Sequence, residues 1–177
     1  MGDIYEDPGV LAEYLLFHYG SANEILPPEV GWPAGMTESL DFAVRTPSRF
    51  SRSQVGRGLD LGCAVGRSTF EMSRSCEQVT GIDFSHAFIG AANRLREGHQ
   101  EFYERLDEAH HKTTLRAVLP EGIDPGKSEF LQGDAMHLPD DLGTFDRVHA
   151  ANLICRLTDP ELLLARFPDL LNPGGEL

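Results

Sequence analysis

A chain of 177 residues with 41% hydrophobic and 24% charged side chains has the length and composition of one globular domain with a core of its own. Its formal net charge of −13 repels a phosphate backbone, and no Lys/Arg cluster offsets this locally, which argues against nucleic acid as a partner. The longest strongly apolar run, Tyr14-Leu15-Leu16-Phe17, is far too short to span a bilayer, and the first residues are acidic. The expectation is a cytoplasmic protein with no export signal and no membrane partner.

The residues Pro8 to Tyr19 place Val10, Leu11, Tyr14, Leu15, Phe17 and His18 at mostly helical spacing before a stop at Gly20. The stretch from Asn23 to Arg52 carries Pro27, Pro28, Pro33, Pro47 and Trp32, so residues 1–52 read as a helix followed by an irregular arm that caps one end of a sheet. Residues 53–177 read as a Rossmann-like unit.

That unit opens on Val55-Gly56-Arg57-Gly58-Leu59-Asp60-Leu61-Gly62-Cys63-Ala64-Val65-Gly66-Arg67-Ser68, a buried-strand pattern entering a small-residue turn and then a helix. Glycines in such a turn let a nucleotide-like ligand approach the backbone. A dinucleotide fingerprint is excluded, because Ala64 and Arg67 stand where its second and third glycines belong. The remaining pattern, Asp60-x-Gly62-x-Ala64-x-Gly66, resembles motif I of the class I S-adenosylmethionine-dependent methyltransferases. Their usual form has glycine at the position of Ala64, and alanine is tolerable there at negative φ and damaging at positive φ. Cys63, with no base at hand, reads as a small packing residue. The three cysteines (Cys63, Cys76, Cys155) form no CxxC pair and read as reduced thiols, with no metal site.

A helix to about Cys76 leads into a second strand, Gln78 to Asp83, which brings the Asp83 carboxylate to the carboxyl edge within reach of ribose hydroxyls. A helix over Ser85 to Glu97 follows. Glu101–Leu106 and Thr113–Leu119 read as a hairpin insertion within 99–126, with His110 and His111 as solvated turn residues. Glu129 to Ala135 reads as the third strand, ending in Gly133-Asp134-Ala135, where Asp134 and Ala135 can select adenine. Phe145 to Asn152 reads as the fourth strand, with Asn152 where a methyl acceptor meets the sulfonium. Asp159 and Pro160 start a helix through Phe167, and Leu171 to Leu177 turns into a fifth strand.

Four further segments carry a narrower resemblance: Glu13-Tyr14-Leu15-Leu16-Phe17-His18-Tyr19-Gly20, Leu61-Gly62-Cys63-Ala64-Val65-Gly66-Arg67-Ser68, Gly133-Asp134-Ala135 and Ala151-Asn152-Leu153-Ile154-Cys155-Arg156-Leu157. Together they are similar to the 4-mercaptohistidine N1-methyltransferase family, the methyltransferase module of ovothiol-biosynthesis enzymes. The resemblance implies an α/β, three-layer class I methyltransferase sandwich that stops at the fifth strand. It implies S-adenosylmethionine held by Asp60, Gly62, Cys63, Ala64, Gly66, Asp83, Phe84, Asp134, Ala135 and Asn152. Tyr14, His18, Tyr19 and Asn152 would position a thiohistidine-like small molecule, and Arg45 or Arg156 would pair with its carboxylate. A separate sulfoxide synthase domain or protein would supply the thiol. Stopping at the fifth strand would leave the fourth without its neighbour and invite a homodimer through the open edge. Because the turn motifs select cofactor rather than acceptor, another small metabolite stays open as substrate, as does a non-catalytic cofactor-binding or interaction module.

Overall fold

The computed structural model describes residues 2–26, 28–51 and 53–177. Met1, Pro27 and Arg52 of the expected arm lie outside them. The helices are Pro8–Tyr19 (α1), Ala22–Ile25 (α2), Phe42–Arg45 (α3), Arg67–Met72 (α4), His86–Arg96 (α5) and Pro160–Leu170 (α6). The strands are Val55–Leu61 (β1), Cys76–Asp83 (β2), Glu101–Glu108 (β3), His111–Ala117 (β4), Ser128–Gln132 (β5), Phe145–His149 (β6) and Leu171–Glu176 (β7). Five of these strands form one sheet in the order β5-β2-β1-β6-β7, all parallel, and β3 and β4 form a separate antiparallel hairpin.

The period-two alternation of β1 sets the layers. Leu59 and Leu61 are fully buried in a core shared with Val148, Leu163 and Leu170, which seats α6 on that face. Gly58 and Asp60 face the other way, toward α4. A Cβ on Gly58 would stand 3.0 Å from Met72 Cε, so glycine there lets α4 lie close to the strand. Gly66 acts similarly at the start of α4. Its φ is +84°, and an added Cβ would come within 2.8 Å of the Phe130 ring and 3.0 Å of Ala92 Cβ, so this one residue allows α4, α5 and β5 to converge. The strand order reverses between β1 and β6, and a crevice opens at the carboxyl ends there.

Local chemistry starts the three longest helices. Asp7 accepts from the Gly9 and Val10 amides with Pro8 in the first turn, Ser85 Oγ accepts from Phe88 N, and Asp159 accepts from Glu161 N ahead of α6. α1 buries Leu15 in the core that holds Phe88 and Leu95 of α5 and Tyr103 of β3.

Several boundaries move. α4 stops at Met72 rather than near Cys76, because Ser73 Oγ donates to Phe70 O and the chain turns directly into β2. β5 ends at Gln132 and β6 at His149, which leaves Gly133–Ala135 and Asn152 in turns. The expected open edge on the fourth strand is also corrected: β7 pairs with β6, Phe145 beside Leu171 and Arg147 beside Glu176. Asn172 Nδ2 donates to Asp146 Oδ1 at 2.8 Å and Arg147 Nε to Glu176 Oε2 at 3.1 Å, which holds β7 in place and removes the basis for a dimer through β6.

Candidate functional site

The turn after β1 contains three left-handed residues, Gly62 (φ +70°), Ala64 (φ +48°) and Gly66 (φ +84°). It is tied to β2 twice. Gly62 N and Cys63 N both donate to Ile82 O, at 2.8 and 3.1 Å, and Ala64 N donates to Asp83 Oδ2 at 2.9 Å. The other oxygen of Asp83 accepts from Ser85 N at 2.9 Å, so one carboxylate joins the β1 turn to the start of α5. Burial raises the Asp83 pKa, and the Ser85 and Ala64 N–H groups pull it partly back.

Ala64 therefore takes the costly backbone branch. A non-glycine residue there is strained by about 1–2 kcal/mol, partly offset because glycine frees the unfolded chain. Ala64→Gly is expected to raise stability by roughly 0.5–1 kcal/mol, read as a higher urea midpoint at unchanged slope.

The cavity of about 650 Å³ lies over these strand ends, with α1 and Tyr5 on one wall and the β6–α6 connection on another. Of the residues proposed for the cofactor, Gly62, Ala64, Asp83, Phe84, Asp134, Ala135 and Asn152 line it. Asp134 also closes its own turn, accepting from Met136 N at 2.9 Å and meeting His137 Nδ1 at 3.0 Å. Asn152 sits at φ +55°, a conformation asparagine tolerates better than most residues. Of the residues proposed for the acceptor, Tyr14, His18 and Arg156 also line the cavity.

Five expected contacts do not form the cavity wall. Asp60 is 1% exposed and lies beneath the turn, where it accepts from Thr69 Oγ1 at 2.7 Å and bonds His149 Nδ1 at 2.7 Å. Cys63 is packed in the core, and burial lifts its thiol pKa well above the usual range. Gly66 faces Phe130, as described. Tyr19 donates its hydroxyl to Val65 O at 2.8 Å under the Arg67 guanidinium, and burial raises its pKa. Arg45 turns back on its own segment, Nε donating to Leu40 O at 3.0 Å. For Asp60, Tyr19 and Arg45 another partner takes the polar group that the cavity would need.

His18 remains at the site. Its ring stacks at a tilt on Tyr14, 5.7 Å between centroids, and Nδ1 is buried with no hydrogen-bond partner among the described residues. Burial pushes its pKa down to about 4; the Asp60 charge opposes this and the Arg67 charge adds to it. The imidazole is neutral near neutral pH, so no added cation sits beside the cradle. The folded value lies below the ordinary 6.5, so the neutral ring's contribution is complete above about pH 6.5 and is lost as pH falls through about 4. Over that window the chain is expected to lose up to about 3 kcal/mol relative to His18→Gln, less in proportion to the part of the ring that water reaches, measured by urea unfolding at stepped pH.

Sequence reasoning passed over His149, which lines the same cavity, and Tyr5 and Glu6, which hold the N-terminal segment across the entrance to α5. Tyr5 O accepts from Ser85 Oγ at 2.9 Å, and the Glu6 carboxylate accepts from His86 N and Ala87 N at 2.8 and 3.1 Å. The signal for His149 was available: an ionisable residue inside a central parallel strand, where apolar residues are the rule, requires a buried partner.

A sheet of this order, with a glycine turn after its first strand and a half-buried carboxylate at the end of its second, is the architecture found in the S-adenosylmethionine-dependent methyltransferase class. The chain belongs to the family described as "Methyltransferase domain", whose pattern matches residues 59–177. It is similar to the methyltransferase GfsG of Streptomyces halstedii, 27% identical over 188 residues, covering 100% of this chain and 55% of that protein. It is also similar to the demethylmenaquinone methyltransferase of Lactococcus lactis, 30% identical over 122 residues, covering 67% of this chain and 39% of that protein. Among solved structures, the YcgJ protein of Bacillus subtilis superposes with a TM-score of 0.53 at 17% identity, over 78% of this chain and 48% of that one, which is a likeness of fold. The chain thus spans about half or less of the length of these relatives. No helix among the described residues is long and apolar enough to cross a membrane.

Proposed function

We propose that this chain transfers a methyl group from S-adenosylmethionine to an imidazole nitrogen of a thiol-bearing histidine. The observation that carries the reading is the single cavity in which Gly62, Ala64 and Asp83 meet Tyr14, His18 and Arg156. The cavity suits the cofactor: it is large enough for a nucleoside with an amino acid tail, the backbone of the turn is open to it, and the buried Nδ1 of His18 lacks a hydrogen-bond partner among the described residues.

When bound, S-adenosylmethionine supplies an electrophilic methyl on a sulfonium. The residues supply the rest. Asp83 would accept from the ribose hydroxyls and Asp134 from the adenine edge. Tyr14 and Phe88, 4.6 Å apart, form an aromatic wall against which a planar imidazole can lie, and burial raises the pKa of the Tyr14 hydroxyl so that it stays a neutral donor. The Arg156 guanidinium suits an amino acid carboxylate. A neutral imidazole nitrogen is already nucleophilic, so alignment matters more than strong base catalysis, and a fairly apolar wall favours loss of the sulfonium charge.

The test is a mass assay of the chain with S-adenosylmethionine and 4-mercaptohistidine. A methylated thiohistidine and one equivalent of S-adenosylhomocysteine are expected, and Arg156→Ala should raise KM about tenfold with kcat little changed, as a lost carboxylate contact predicts. Methylation of other small metabolites but never of 4-mercaptohistidine would reject the acceptor and leave the methyltransferase reading. A cytoplasmic site of action and a thiol-installing partner belong to the same proposal.

A further inference from the structure

The Asp60–His149 pair is not explained by cofactor binding or by the acceptor contacts assigned above. Asp60 is 1% exposed and His149 8%, and they lie side by side on adjacent parallel strands, Asp60 on β1 opposite His149 on β6. Asp60 Oδ1 stands 2.7 Å from His149 Nδ1, while Asp60 Oδ2 accepts from Thr69 Oγ1 at 2.7 Å. With Thr69 donating to one oxygen and the ring to the other, the carboxylate is held as an acceptor and the Nδ1 proton is fixed on the imidazole. In the neutral ring that leaves Nε2 with its lone pair. Nε2 is buried and has no hydrogen-bond partner among the described residues, and His149 lines this cavity as well as a neighbouring pocket that it shares with Phe50.

A buried ring nitrogen kept unpartnered costs free energy unless something completes it. His149 ends β6, separated by β1 and β2 from β5, whose following turn carries Asp134 and Ala135, and Asn152 lines the same cavity three residues further on. A carboxylate that orients an imidazole, which in turn offers its far nitrogen to a reacting group, is the general arrangement of an activated base.

Resting on the methyl-transfer reading above, we propose that His149 Nε2, oriented by Asp60, takes the proton released by the methyl acceptor. The acceptor's X–H bond breaks and its electron pair stays on X. The proton forms an N–H bond at Nε2, and the resulting imidazolium faces the Asp60 carboxylate until it returns the proton to water. For an imidazole acceptor X–H is the ring N–H that must be lost for a neutral product. For a thiol or hydroxyl acceptor the same step generates the nucleophile, so the base would serve whichever acceptor the chain uses.

The test is nitrogen NMR of the histidine rings in the full chain loaded with S-adenosylhomocysteine, with 4-mercaptoimidazole, catechol and 2-mercaptoethanol added in turn as probes. An unprotonated Nε2 on His149 is expected, moving toward the protonated position with at least one probe, and Asp60→Asn should scramble the tautomer and abolish that response. An Nε2 that already carries a proton, or that no probe moves, overturns the proposal. A response to catechol or mercaptoethanol but not to mercaptoimidazole supports the base and rejects the acceptor named above. With S-adenosylmethionine and the responding probe, His149→Gln should slow single-turnover transfer about 100-fold, more than it weakens S-adenosylhomocysteine binding, and added imidazole should restore part of the rate. Equal losses of transfer and binding, without rescue, would mean that His149 only builds the wall.

Discussion

Asp83→Ala is expected to weaken S-adenosylhomocysteine binding by at least 100-fold, about 2.7 kcal/mol, in a calorimetric titration against the parent chain. The effect has two sources. The carboxylate lines the cavity beside Phe84, where ribose hydroxyls can donate to it. It also accepts from Ala64 N and Ser85 N, each at 2.9 Å, and so shapes the cradle before any ligand arrives. Alanine leaves both amides without their acceptor, at roughly 1–3 kcal/mol of stability where water cannot replace it. The turn then loses the bond that restrains Ala64 at φ +48°. Binding should therefore fall together with a lower urea midpoint. A variant that binds within threefold of the parent would remove Asp83 from the binding machinery.

The second large effect is on the fold. Arg147→Met should destabilise the chain by about 2–3 kcal/mol, since it strips a fully buried donor group from its acceptors, of which Ser51, Ser53 and Glu176 can turn in part to water. The Arg147 side chain is wholly buried in β6. Its Nη2 donates to Ser51 O at 2.7 Å and Ser53 O at 2.8 Å, Nη1 to Ser75 Oγ at 2.6 Å, and Nε to Glu176 Oε2 at 3.1 Å. One guanidinium thus fastens the arm before β1, the turn before β2 and the edge strand β7. Methionine nearly matches its length but satisfies none of these acceptors. Glu176 loses its cation, although its pKa, held down first by the Ser51 amide, keeps it ionised. Equilibrium urea unfolding measures the loss, and a change below 1 kcal/mol would show that the arm and β7 are held by other contacts.

Much of this protein can be read along the chain. The alternation of apolar strands with helices, the Asp60-to-Gly66 turn and an acidic residue one helix and one strand later are local features, each set by a few consecutive residues. Such features carry the α/β class and the methyltransferase family because a glycine turn, a helix cap or a strand period depends on neighbours in sequence. The fifth strand was harder. Leu171–Glu176 contains Pro173, Gly174 and Gly175, poor strand formers, and it is a strand because Asp146, Arg147 and Ser51 hold it there.

The site divides along the same line. Gly62, Asp83 and Asp134 stand at strand ends, where the pattern alone places a residue at the carboxyl edge, and they line the cavity. Asp60 belongs to the same motif, but its direction depends on which strand lies beside it and what that strand carries. Parallel pairing with β6 puts His149 next to it, and the carboxylate turns to Thr69 and His149 instead of the cavity. Tyr19 and Arg45 were diverted in the same way by the carbonyls of Val65 and Leu40. Sequence by itself determined the class of fold, the family and the turn that cradles a nucleotide, because those follow from local periodicity and backbone conformation. Only the tertiary structure decided which polar side chains face the cavity, because a buried donor or acceptor turns toward the partner that satisfies it, and that partner comes from a distant part of the chain.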